Sequence, residues 1–396
     1  MDALVPRRER LVWIAGFLLV SAIIVASRFT SPDPDSALYA RMAARLAEEP
    51  VAQWVAPEWW DFWPAAQMSG LFREHPAGVF WIPAGLSRLG LPAEQGAYVV
   101  GVAAGLVALV LIGMLVQRAT TREDARAALV LVQLMPVAFV FRIRANHEYP
   151  MLVCLLVVLL GLEGMRRAWW PALLVAAGLA GGLLVKGVFL SIVILGAGLW
   201  LLIDPLREGP RSVRPWLGFL VALGLTAAVA SAYDVWYLRA TGETFWSAYL
   251  VRQLGPVTIA APSEDVSSIA LRLGFYLTRV LWHPAPWSLL LVWLGLSRTR
   301  AWRSLPSRER RGLVFALAFA ALAVAVLALP SRYAERYAFS VTFVIGAVGA
   351  IAARRGWPRL AQAIGRLDGR VVALPAVLWT LLAVARLTLG PWLPRL

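Results

Sequence analysis

Apolar residues run along the chain in long blocks, separated by short segments rich in arginine. Blocks such as Leu11–Ser27, Ala97–Val116, Trp216–Val235 and Val371–Leu389 approach or reach the ~20 residues a helix needs to cross a hydrocarbon core of about 30 Å. Read with their flanks, the blocks predict about eleven crossings, near 11–27, 97–116, 127–141, 150–165, 170–185, 187–203, 216–237, 284–297, 313–329, 337–352 and 371–389. Pro76–Leu91 is apolar but interrupted by Pro83 and Arg88. It reads as an interfacial or re-entrant piece on the outer side, where backbone need not satisfy itself wholly within one span; 269–282 reads the same way. The pattern is that of an all-α polytopic membrane protein.

Composition agrees. Sixty per cent of the 396 residues are hydrophobic and the mean hydropathy is +0.69, more apolar surface than a soluble domain keeps from water. The net charge of +15 raises the question of nucleic acid, but the basic residues are spread in short clusters between spans rather than gathered on one patch. Their placement is the positive-inside signature. Inner segments hold 22 of the 37 arginines against nine acids, whereas the rest of the chain carries 16 basic and 14 acidic residues. Arg7, Arg8 and Arg10 put the start of the first span inside, and Val25-Ala26-Ser27 offers a weak leader-cleavage site; the many later spans favour retention. The chain reads as a single membrane domain over 1–396, with its largest non-spanning stretches, 28–96 and 238–283, on the outer side. Large outer loops over a bundle are where a site is expected. The preference for arginine over lysine suggests a bacterial source of high GC content, hence a bacterial plasma (inner) membrane.

Few residues carry chemistry. Asp33 and Asp35 fall where the first span has just left the membrane, with Asp35 or Ser36 able to cap a short helix. Leu38, Met42 and Leu46 share one face of it while Arg41 and Arg45 stay polar, an amphipathic helix expected to lie on the membrane surface. Capping alone accounts for the aspartates as well as catalysis does. Lys186 is the only lysine, placed at the outer junction of two short spans, where a buried ammonium costs roughly 2.5–3.5 kcal/mol unless it snorkels or is paired. A phosphate ligand suits it better than an ordinary helix-end lysine. His75, His147 and Glu148 are of metal-ligand type, but the chain has three histidines and no His-x-His or His-Glu-x-x-His spacing. A satisfied polar role is favoured; no metal site or cofactor is assigned, and a divalent cation stays an open option. Cys154, the single cysteine, is read as an inert thiol within a span. The 19 tryptophans, Trp54, Trp59, Trp60 and Trp63 among them, are read as an interfacial belt.

Taken together, some of these segments are familiar. Asp35-Ser-Ala-Leu-Tyr39-Ala-Arg-Met-Ala43 resembles the opening of the first outer loop in polyprenyl-phosphate-dependent glycosyltransferases of the GT-C class, such as the lipid A aminoarabinose transferases and protein O-mannosyltransferases. Glu74-His75-Pro76-Ala77-Gly78-Val79-Phe80-Trp81 is similar to a later element of that loop, Arg142-Ile-Arg144-Ala-Asn-His147-Glu148-Tyr-Pro150 to the second outer loop, and Gly182-Leu-Leu-Val-Lys186-Gly187 to a Gly-Leu-x-x-Lys-Gly signature. Phe245-Trp246, Pro286-Trp287 and Ser331-Arg332-Tyr333 are weaker matches, and the likeness spans about residues 1–350. It implies a GT-C-type helical bundle with outer juxtamembrane helices, moving a sugar from a polyprenyl-phosphate carrier to an extracytoplasmic acceptor with inversion. On that reading Asp35 and Glu148 are catalytic, with Lys186, Arg142, Arg144, Arg332 and His75 on the lipid phosphate and Asp33, Tyr39 and Tyr333 supporting the site. Leu38 where relatives often carry a basic residue, and Glu148 in place of Asp, are departures. A transporter or lipid flippase is the alternative, and an inactive membrane scaffold a third; the chain shows neither related halves nor midplane charges, which transporters tend to have.

Overall fold

The computed structural model describes residues 34–59, 70–207, 210–258, 266–292, 306–330 and 334–356, except 93, 143, 286 and 290, and a few positions between 373 and 385. Among the described residues the chain is helical, its one strand-like feature an antiparallel bridge between Glu58 and Leu71. The helices are α1 (Pro34–Glu48), α2 (Gly78–Arg88), α3 (Gln95–Ala119), α4 (Arg122–Gln133), α5 (Pro136–Arg142), α6 (Glu148–Gly164) and α7 (Ala172–Lys186). They continue as α8 (Leu190–Ile203), α9 (Arg214–Thr241), α10 (Phe245–Thr258), α11 (Val266–Trp282), α12 (Ser307–Ala328) and α13 (Phe339–Gly356).

Among the described residues, four stretches are long and apolar enough to cross a membrane: 95–119, 172–203, 214–241 and 307–328. The second is not one rod. Gly187, at φ 58°, turns the chain between α7 and α8, and a short 3₁₀ segment (Gly187–Phe189) restarts it. Two ion-pair clusters show the direction of each helix. Arg166, just after α6, pairs with Asp204, just after α8, while Lys186 at the end of α7 pairs with Glu148 at the start of α6. Consecutive helices α6, α7 and α8 therefore alternate in direction, as the charge ledger requires. Arg311, in the first turn of α12, donates to the Asp204 and Arg207 carbonyls, placing residues 166, 204–207 and 308–311 at the predicted inner end.

Small residues set the closest contacts. A Cβ on Gly178 would meet Val158 Cγ2 at 2.7 Å and the Cys154 carbonyl at 2.9 Å, so glycine lets α7 lie backbone-to-backbone on α6. In a membrane, where lipid tails are as apolar as leucine, such packing is a main source of helix association. Around this pair Leu155, Val158, Leu179, Val193, Ala197, Phe319 and Ala323 form the principal buried cluster.

Four expectations change. The crossing near 127–141 is two helices, α4 and α5, because Pro136 lacks an N–H and disfavours helical geometry in the residue before it; the break falls at Leu134–Met135. The helix begins at Pro34, so Asp35 and Ser36 lie in its first turn rather than capping it. Its apolar face does not rest on lipid: Tyr39, Met42, Ala43 and Leu46 pack on Phe72, Phe80 and Ala84, because α2 folds over them. Trp54 and Trp59 join that protein cluster rather than an interfacial belt, whereas Trp169, Trp170 and Trp216 are exposed near the inner end. The spans near 11–27, 371–389 and much of 284–297, together with Trp60 and Trp63, lie outside the described residues.

Candidate active site

Four segments meet at the predicted outer end: α1, the 70–77 loop leading into α2, the turn before α6, and the α7–α8 turn, with a 3₁₀ segment at Glu335–Ala338 closing the group. The loop is held from both sides. Arg252 Nε donates to Glu74 Oε1 at 2.7 Å and Gln253 Nε2 to the Glu74 carbonyl at 3.0 Å. On the other side the Ala77 N–H donates to Tyr233 Oη at 2.9 Å, and that hydroxyl donates to the Val55 carbonyl. Gly78 then approaches the Leu184 backbone so closely that a Cβ would sit 2.8 Å from its carbonyl oxygen. The His75 loop is thereby seated beside the end of α7.

Lys186 is 3 % and Glu148 2 % exposed, and Lys186 Nζ donates to Glu148 Oε1 at 2.8 Å. The ammonium also lies 4.8 Å from the centre of the Phe189 ring and 5.1 Å from that of Tyr337, so its charge is met by one carboxylate and two π-faces. The insertion cost read from the sequence is offset by pairing, not by snorkelling to the headgroups. Glu148 Oε2 has no hydrogen-bond partner among the described residues.

The turn after Lys186 explains its glycine. Tyr249 Oη accepts from the Val188 N–H at 2.9 Å and donates to the Lys186 carbonyl at 3.3 Å. A Cβ on Gly187 would lie 2.1 Å from that hydroxyl oxygen, and φ is positive. We therefore expect Gly187→Ala to displace the Lys186 ammonium and lower the unfolding temperature of the solubilised protein by several degrees. Tyr249→Phe, which keeps the ring and loses only the hydrogen bonds, should cost about 1 kcal/mol or a little more. Thermal unfolding of both variants checks the order; equal stabilities would refute it.

Asp35 and Arg336 form an ion pair, and Arg336 lines the same cleft as Glu148, Lys186, Phe189 and Tyr337. Arg336 thus links Asp35, which is not itself among the residues lining the cleft, to the Glu148–Lys186 pair. Arg144 lies 5.3 Å from the Phe141 ring centre. Asp33, Arg332, Tyr333 and the side chain of Arg142 lie outside the described residues. Arg336 was not anticipated. The signal was present in Arg332-Tyr-Ala-Glu-Arg336-Tyr337, where the Arg-Tyr pair recurs after four residues.

His75 and His147 were read singly; the structure brings them together. Their ring centres are 4.5 Å apart, and Tyr39 stands edge-on to His147 at 4.5 Å. Among the described residues His75 Nδ1 and His147 Nε2 have no partner, and no group of three metal-ligand side chains occurs. Burial pushes the His75 pKa down to about 3, helped by the nearby Lys186 charge, and burial likewise pushes that of His147 well down. The folded protein then binds fewer protons than the unfolded chain between about pH 3 and 6.5. Stability is fully present above pH 6.5 and falls as pH drops through that window. Melting curves from pH 7.5 to 5 should show this loss, and His75→Gln should flatten it; identical slopes would count against buried neutral histidines.

Among curated proteins none matches the chain. Residues 74–231 match the family described as dolichyl-phosphate-mannose-protein mannosyltransferase. That stretch contains His75, Glu148 and Lys186 and stops short of Arg336. The chain is similar in fold to ArnT from Cupriavidus metallidurans in the apo state, with 14 % identity, 97 % of this chain and 73 % of that one covered, and a TM-score of 0.59. It is also similar to ArnT from the same organism bound to undecaprenyl phosphate, with 16 % identity, 96 % and 72 % covered, and a TM-score of 0.56.

Proposed function

We propose that this multi-pass membrane protein of the GT-C fold transfers a sugar from a polyprenyl-phosphate donor to the hydroxyl of an acceptor, and does so on the extracytoplasmic side of a bacterial plasma membrane. The reading rests above all on one observation: Lys186, paired with Glu148, and Arg336, paired with Asp35, line one cleft at one end of the bundle. The family match over 74–231 and the fold shared with a protein seen holding undecaprenyl phosphate support it.

The residues suit that chemistry. Breaking the bond between the anomeric carbon and a phosphate oxygen leaves negative charge on the carrier phosphate, and fixed cations in a water-poor site stabilise it. Lys186 is held for this by Glu148, and Arg336 supplies a second, planar cation with two-pronged geometry. With no donor bound, each cation is held by its own carboxylate. An arriving phosphate competes for Arg336 and frees Asp35. Freed from the guanidinium, Asp35 is open to the acceptor hydroxyl. It then takes the acceptor hydroxyl's proton as that oxygen attacks the anomeric carbon from the face opposite the leaving phosphate, which inverts the centre. His75 borders the phosphate-binding side, and Tyr39, edge-on to His147, walls the sugar side. Arg142, Arg144 and Arg332 complete the phosphate's surroundings in this reading, with Asp33 and Tyr333 at the margin.

The test is mass spectrometry of envelope glycans and lipid-linked sugars in cells with and without the gene, and with Arg336→Ala. Loss of one sugar from a glycan, with its polyprenyl-phosphate donor accumulating in both strains, supports the proposal and names the substrates. Unchanged glycans and carriers in the deletion strain would overturn it.

A further inference from the structure

A second charged cavity lies at the opposite end of the bundle, remote from the Lys186 cleft. It measures about 530 Å³ and is lined by Ala119, Arg207, Ser307, Arg308, Glu309 and Arg311. Three helices contribute: the end of α3, the turn after α8 and the first turn of α12. Backbone carbonyls position two of the arginines, Arg311 and Arg308. Arg311 Nη2 donates to the Arg207 carbonyl at 2.6 Å and its Nε to the Asp204 carbonyl at 3.2 Å, while Arg308 Nη1 donates to the Arg118 carbonyl at 3.2 Å.

Carbonyls satisfy guanidinium donors but do not cancel charge. Two nearby carboxylates, Asp204 and Glu163, are taken by Arg166, and among the described residues Glu309 is the one acid on the cavity wall. No carboxylate forms an ion pair with Arg118, Arg207 or Arg311 among the described residues. Positive charge thus exceeds negative in a concave site built from three elements. The N-terminal turn of a 22-residue helix, α12, with no side-chain cap, adds N–H groups of the same polarity.

The surroundings indicate the ligand's other half. Leu202, on the last turn of α8, and Val314 and Leu317, just beyond Arg311 on α12, are exposed. A soluble phosphate compound would gain nothing from them, whereas a lipid could lay its acyl chains there with its phosphate among the arginines. We infer that this cavity binds the phosphodiester headgroup of an anionic phospholipid from the leaflet opposite the catalytic cleft. Basic pockets between spanning helices on the cytoplasmic side are known to take such headgroups. This inference is independent of the glycosyl-transfer reading.

The test uses the full-length protein, purified in detergent and titrated with dimyristoyl phosphatidylglycerol or the matching phosphatidylcholine, with retained lipid counted by native mass spectrometry. One phosphatidylglycerol should be held at least tenfold more tightly than phosphatidylcholine. The double variant Arg207→Gln/Arg308→Gln, which leaves the Arg311 carbonyl contacts in place, should weaken it by about thirtyfold, roughly fivefold per arginine. Arg41→Gln, at the other end of the molecule, should leave binding unchanged, and circular dichroism should show both variants folded. Equal retention of the two lipids would overturn the proposal, as would equal weakening by Arg41→Gln. Displacement of the lipid by low-millimolar inorganic phosphate would likewise overturn it, by showing a soluble-anion site. If the double variant does not fold, Arg308→Gln alone, expected to weaken binding about fivefold, decides the matter.

Discussion

Lys186→Met is expected to lower turnover by about 10²–10³-fold, the usual cost of removing one preorganised donor to a developing anion. It should also destabilise the protein, for a different reason. Glu148 is 2 % exposed, and without the ammonium 2.8 Å away it is left as an uncompensated buried acid. Breaking a buried pair from one side costs about 3–5 kcal/mol. Replacing both members by neutral residues removes that penalty, so Lys186→Met/Glu148→Gln should regain most of the lost stability. Activity should not return if Lys186 is, as proposed, the cation that meets the carrier phosphate. Thermal unfolding and turnover, measured side by side on detergent-solubilised protein, separate the two roles. Turnover near wild type in the stable double variant would reduce Lys186 to a structural residue.

Asp35→Asn is expected to act on kcat rather than on donor binding. Loss of the general base that the proposed reading assigns to Asp35 would cost about 10²–10⁴-fold, whereas Arg336, released from its carboxylate, would become more available to a carrier phosphate. The Michaelis constant for the lipid donor should therefore stay level or fall. Arg336→Ala should do the reverse, raising that constant while leaving the Asp35 carboxyl in place. Steady-state kinetics with a lipid-linked donor resolve the split. If Asp35→Asn raised the donor's Michaelis constant and spared kcat, the carboxylate would be a positioning residue for Arg336 and not the base.

The membrane architecture was legible because the bilayer imposes local rules. Each span must be apolar and satisfy its own backbone, and arginines record the inner side, so runs and flanking charges suffice without long-range contacts. Lys186 was legible on the same ground: a lysine within an apolar run is costly and calls for a partner. Propensity did not reveal that the block near 127–141 breaks at Pro136. Nor could the amphipathic face of α1 announce its neighbour, since periodicity records that a face is apolar and not whether lipid or α2 covers it.

What the sequence by itself determined about this protein is its solvent, its helices, and the identity of Asp35, Glu148 and Lys186 as residues to watch. Tertiary structure decided the pairings: Lys186 with Glu148, Asp35 with Arg336, His75 against His147. Each joins segments far apart in the chain, and in none does residue type or spacing encode the partner. That Arg336 lines the cleft depends on the 3₁₀ segment at 335–338 and on what packs against it. Partner choice is a property of the packed bundle, because a buried charge is stabilised only by the particular group that the fold sets within hydrogen-bonding distance.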